Sequence, residues 1–121
     1  MTGWKYMNRI SSDNPDGPMH GFWNRSHDYV LMEWTTRRVN HGPMCLYTSI
    51  AAARKGWANA FQASMYDEDL YECEYEPSDG TLLYCPGWRA TPLSELPNGT
   101  VLADRIMPIR REYLEHLIIT R

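Results

Sequence analysis

Chemistry in this chain starts with its acids. The segment DEDLYECEYE, Asp67 to Glu76, carries six carboxylates in ten residues: Asp67, Glu68, Asp69, Glu72, Glu74 and Glu76. Glu72, Glu74 and Glu76 alternate with Tyr71, Cys73 and Tyr75. That alternation describes a strand with one packed face and one solvated face. On such a strand the three carboxylates line up at about 6.6 Å spacing, twice the rise per residue. A row of this kind can bind a basic surface on a protein partner, steering its approach by charge. It can equally be a solvated face, or an edge protected against pairing with other chains.

Other reactive residues form no familiar constellation. His20, His27, His41 and His116 are scattered with no i, i+4 pair, and Cys45, Cys73 and Cys85 make no CxxC. No metal site is expected from these spacings. GxSxG, P-loop, GxGxxG and HExxH patterns are absent from the sequence. The odd cysteine count and the lack of an apolar h-region in MTGWKYMNRISSDNPDG predict three reduced thiols and a cytoplasmic location. No apolar run approaches the roughly 20 residues that span a bilayer. A net charge of −3, with no basic run longer than the pairs Arg37-Arg38, Arg54-Lys55 and Arg110-Arg111, argues against direct nucleic-acid binding.

The elements that must position these groups can be read in order. The 121 residues, 43% of them apolar, suffice for one domain spanning 1–121. Trp4 to Ile10 reads as a first strand and SSDNPDGP, Ser11 to Pro18, as a loop. Tyr29 to Thr35 is rich in strand formers, Asn40 to Pro43 is a turn, and Met44 to Tyr47 is a short buried strand. A helix follows from about Ile50 to Ala63, with Ile50, Ala53, Trp57, Ala60 and Phe61 on one face and Thr48 or Ser49 as its cap. Leu70 to Glu76 is the cleanest strand. Pro77 to Gly80 turns into Thr81 to Tyr84, Thr91-Pro92 opens a single helical turn, and Asn98-Gly99 turns into a strand from Thr100 to Ile109. The tail REYLEHLII predicts a short C-terminal helix, with a final strand through HLIIT as the alternative. The expected architecture is α+β: a small curved antiparallel or mixed sheet with one main packed helix.

The strand-to-helix join at Leu46-Tyr47-Thr48-Ser49 also belongs to a longer pattern. Met19-His20-Gly21 stands upstream, a small-residue helix bearing Trp57 follows, and a later strand ends in Tyr75-Glu76-Pro77 before a Gly-bearing turn. Over roughly residues 19 to 84 this order resembles the small ADP-ribosyltransferases that modify rifamycin antibiotics, and it is similar to uncharacterised small phage-encoded domains. The resemblance implies NAD as cofactor, with Tyr47 stacking on nicotinamide, His20 holding a ribose hydroxyl, and a carboxylate steadying the cationic sugar. The family's acidic position falls on Tyr84, and Asp79 is the nearest acid in that turn.

Two functions follow. The first is a non-catalytic binding or inhibitor protein on a degenerate transferase-like scaffold, phage- or mobile-element-encoded. It needs no cofactor and engages a basic protein surface through Asp67, Glu68, Asp69, Glu72, Glu74, Glu76 and exposed aromatics. The alternative is an active NAD-dependent ADP-ribosyltransferase using His20, Tyr47 and Asp79. The misplaced carboxylate favours the first.

Overall fold

The computed structural model describes residues 1–9, 18–21, 27–60, 68–84, 86–87 and 89–112. In order these form β1 (Thr2–Arg9), β2 (Met19–Gly21), β3 (Asp28–Tyr29), β4 (Thr35–Thr36), β5 (Met44–Tyr47) and α1 (Ile50–Ala60). There follow β6 (Glu68–Pro77), β7 (Leu82–Leu83), β8 (Thr91–Pro92), a 3₁₀ turn (Leu93–Glu95) and β9 (Thr100–Arg111).

The two longest strands organise the rest. β6 is antiparallel to β1 along one edge and to β9 along the other. β5 pairs with β9 from Met44 to Tyr47 and meets β1 at the single register pair Trp4–Tyr47. The circuit β1–β6–β9–β5 therefore closes into a four-strand barrel. β2 and β3 extend from the far end of β1, and β4 flanks β9. The ladder between β6 and β9 shifts register at Glu72/Cys73 and at Glu76/Pro77. Such irregularities add local twist and bend, which a sheet of so few strands needs in order to close.

Side chains fill the barrel. Met7, Met19, Tyr29, Leu46, Tyr71 and Ile106 are each at most 2% exposed. The unbranched methionines suit an irregular interior because they adapt to the gaps left between rings. Gly3 makes the closure possible: a Cβ there would stand 2.6 Å from Leu46 Cδ1 and 3.0 Å from Tyr47 O. Only a residue without a side chain lets β1 and β5 approach so closely.

The α+β expectation is overturned. The protein is mostly β, with a closed four-strand barrel and one short helix in place of a curved sheet covered by a main helix. The alternation in β6 revealed a strand with one packed face, but not that both of its edges are paired. Those pairings wrap the sheet around its own core, so α1 packs on β1 and β5 and is not the second layer.

Several smaller readings also change. Tyr29 to Thr35 is not one strand. Residues 31–34 break it, with Met32 at φ 64, and Glu33 N–H donates to Val30 O at 3.1 Å. The segment thereby leaves β2 and joins β9. Thr91-Pro92 pairs with β7, and the helical turn starts at Leu93. β9 takes in Arg111, the first residue of the expected C-terminal helix REYLEHLII, while the rest of that segment from 113 on and the end of α1 beyond Ala60 lie outside the described residues.

Candidate functional site

Glu72, Glu74 and Glu76 do share the outer face of β6, while Tyr71, Cys73 and Tyr75 point inward and are at most 4% exposed. Each glutamate meets a cation. Arg110 Nη2 donates to Glu72 Oε1 at 3.2 Å, and Arg105 Nη1 donates to Glu76 Oε2 at 2.8 Å. The N-terminal ammonium lies 3.4 Å from Glu74 Oε2, and Thr2 Oγ1 donates to Glu74 Oε1 at 3.1 Å. Arg110 also reaches Glu112 at 3.7 Å, and Trp4 Nε1 donates to that same Glu112 oxygen at 3.4 Å. The row is thus one half of a charge ladder laid across β1, β6 and β9.

The other three acids of the segment do not extend the row in the same way. Asp69 stands opposite Met7, on the inward side of the ladder, with its carboxylate 3.7 Å from Arg111. Glu68 is the first residue of β6, and Asp67 lies outside the described residues.

Sequence reasoning missed what stands beside the ladder. The Arg105 guanidinium lies over the Trp34 ring, 4.4 Å from its centroid, and Trp34 is 39% exposed. Carboxylate, guanidinium and indole form one stack, each fixing the next through charge and cation–π attraction. A signal for the arginines was available: the strand from Thr100 carries Arg105 and Arg110, and an acidic strand pairs best with a basic one.

The three residues of the transferase reading are held apart. His20 stands opposite Asn8 on β1, and Tyr47 opposite Trp4, so four residues of strand, about 13 Å, separate their levels. Asp79 lies two residues beyond Pro77, the last residue of β6, whereas Asn8, the strand partner of His20, stands opposite Glu68, the first. A Cβ on Gly80, next to Asp79, would stand 3.3 Å from Pro43 Cγ. Pro43 precedes β5, and Tyr47 ends it. Burial, then the neighbouring Cys45, push the Tyr47 hydroxyl up to about 12. At neutral pH it is a phenol and no base.

Elsewhere in the protein burial holds titratable groups in their neutral forms. Burial first, then His41, lower His27 to about 4. Its Nε2 accepts the Arg38 backbone N–H at 3.0 Å, and its ring meets His41 edge-on at 5.4 Å. Burial lifts the Cys73 thiol to about 12 and the Tyr29 hydroxyl well above its ordinary value. Cys45 and Cys73 are both free thiols; Cys85 is outside the described residues. Among the described residues no group of three His, Cys, Asp or Glu gathers to hold a metal ion, and no helix is long and apolar enough to cross a membrane.

No family model matches the chain, and neither the curated proteins nor the solved structures contain a match.

Proposed function

We propose that the chain is a non-catalytic binding module that engages a protein partner through the outer face of β6 and β9. One observation carries this reading: the exposed Trp34–Arg105–Glu76 stack, an indole held flat by a guanidinium that is itself held by a carboxylate. Tryptophan and arginine are the residues most enriched among those that dominate interface energies, and a pre-ordered pair loses little side-chain entropy on binding.

The charge ladder refines what such a partner looks like. Glu72 and Glu76 are already matched by Arg110 and Arg105, so the face offers both signs in alternation. The complementary surface alternates as well, with an apolar recess for Trp34 and a carboxylate or carbonyl for Arg105. Charge then sets register and excludes wrong partners, and the indole supplies the apolar burial. An inhibitor works in this way, by occupying a surface that its target needs.

The test is a pull-down from lysate of the source cells with wild type, Trp34→Ala and Arg105→Ala, quantified by mass spectrometry. A protein retained by wild type and lost by both variants is the expected result. Equal retention by all three removes this face as the working surface.

A further inference from the structure

Lys5 sits where the barrel seam is narrowest. β1 and β5 share one register pair, Trp4–Tyr47, and past it β1 pairs with β2 instead. Lys5 is the next residue, opposite Tyr71 on the inward side. Its ammonium bridges the widening gap. Nζ donates to Cys45 O at 2.6 Å, stands 4.0 Å from Cys45 Sγ, and lies 5.9 Å from the centroid of the Tyr29 ring. The amine is therefore tethered at the carbonyl of the very residue whose sulfur it approaches. Carbonyl and ring together restrict where it can go.

The two described thiols differ in access. Cys73 is 0% exposed, and burial lifts its thiol to about 12, so it offers neither a path for an oxidant nor a thiolate to react. Cys45 is partly open to solvent. A small oxidant that reaches the seam meets Cys45 with a primary amine already beside it.

We propose that Lys5 and Cys45 are a modification site, joined by an oxidative cross-link, a sulfenamide bond from Cys45 Sγ to Lys5 Nζ formed with hydrogen peroxide. In the first step the Cys45 thiolate attacks peroxide, the O–O bond breaks, and Cys45 becomes a sulfenic acid while water leaves. In the second step the Lys5 ammonium gives one proton to solvent, and the neutral amine so formed attacks the sulfur. The S–N bond forms, the S–O bond breaks, and the nitrogen's proton departs with the oxygen as a second water. Sulfur loses two electrons overall and one peroxide is reduced, giving one cross-link and two waters. Reaction within the pair outruns capture by dissolved amines because both groups are held in place. The product ties β1 to β5 across the seam and closes the chain between them into a loop, which restricts the unfolded chain. A thiol reductant reverses it.

Intact mass and peptide mapping after hydrogen peroxide treatment decide the matter. The expected product is about 2 Da lighter than the reduced chain, contains one peptide joining Lys5 to Cys45, and reverts with dithiothreitol. Lys5→Arg keeps a cation at the seam but removes the primary amine. In that variant the cross-link should vanish, and dimedone should trap Cys45 as its sulfenic acid. A chain carrying Cys45 with Cys73→Ala and Cys85→Ser should still lose about 2 Da, because no second thiol remains to form a disulfide within the molecule. If that variant does not fold, the joined Lys5–Cys45 peptide from wild type carries the same information. Wild-type Cys45 ending as a sulfenic or sulfinic acid, or in a disulfide, with Lys5 recovered unmodified, overturns the proposal.

Discussion

Arg105 Nη1 donates to Glu76 Oε2 at 2.8 Å across the ladder of β6 and β9, and the same guanidinium covers the Trp34 ring. One arginine thus answers two questions that the acidic segment raised. It neutralises the last carboxylate of the row on β6, and it orients the exposed Trp34 indole beside that face. The row is held by cross-strand attraction rather than left to repel itself.

The first prediction concerns the strength of that attraction. Glu74 and Glu76 are 43% and 51% exposed, so their pairs are screened by water. Exposed pairs contribute from nothing to about 1 kcal/mol each. The triple variant Glu72→Gln, Glu74→Gln, Glu76→Gln should lose about 1–2 kcal/mol in urea unfolding at low salt. Most of that difference should disappear at 1 M salt, where the Debye length is about 3 Å. A loss unchanged by salt would mean that the glutamates act through packing and not through charge.

The second concerns His27. Its folded pKa is lowered to about 4, against 6.5 for the free side chain. Between those values the unfolded chain binds a proton that the folded one refuses, so stability falls as pH drops from about 6.5 towards 4 and levels off below. The loss is on the order of 2–3 kcal/mol at the bottom of the window. His27→Gln keeps an acceptor for the Arg38 N–H without a titrating ring. Subtracting its unfolding curve from wild type at each pH isolates this one group from the carboxylates that titrate nearby. Parallel curves from pH 7 to pH 4 would show that His27 is protonated as easily folded as unfolded.

Much of this was legible before the structure, and the misses have a common cause. Tyr71, Cys73 and Tyr75 announced the packed face of β6 because period-two alternation is a local property. A helix cap at Thr48 or Ser49 and the Asn98-Gly99 turn were readable for the same reason, and the structure makes Ser49 the cap. What could not be read were pairings between distant segments. Nothing local says that Trp4 meets Tyr47, and that one contact turns an open sheet into a barrel. Arg105 and Lys5 were passed over because their partners, Glu76 and Cys45, lie 29 and 40 residues away in the chain. The segment from Tyr29 to Thr35 had strand-like composition throughout, but Tyr29 and Thr35 belong to different neighbours, and the chain must bend between them.

The third prediction tests the transferase resemblance directly. His20, Tyr47 and Asp79 are separated along the strands, and Tyr47 stays a neutral phenol. Calorimetry at millimolar NAD should therefore show no binding heat, and Tyr47→Ala should change nothing in that titration. Saturable heat that Tyr47→Ala abolishes would restore nicotinamide stacking at this position and with it the enzyme reading.

The last prediction concerns how the barrel holds its helix. Ser49 Oγ accepts the Ala52 backbone N–H at 3.0 Å, so it caps the first turn of α1. The turn before β9 meets the same place from the other side. Gly99 has φ +87, its carbonyl accepts the Thr48 N–H at 2.9 Å, and a Cβ on it would stand 2.6 Å from Ala52 Cβ. Thr100 N–H donates to Pro97 O at 3.1 Å, closing the turn around Gly99. Two costs therefore fall on Gly99→Ala: a left-handed backbone that an alanine adopts poorly, and a clash with a helix that is anchored by its own cap. Together they should reach about 2 kcal/mol or more, against about 1 kcal/mol for Ser49→Ala. Adding Ala52→Gly relieves the clash but leaves the backbone strain and weakens the helix by about 1 kcal/mol. Urea unfolding of both single variants and the double should therefore give a favourable coupling between positions 52 and 99, without full recovery of wild-type stability. If Gly99→Ala unfolds at the wild-type midpoint, the turn is free to move away from α1 and does not fix the helix to the barrel.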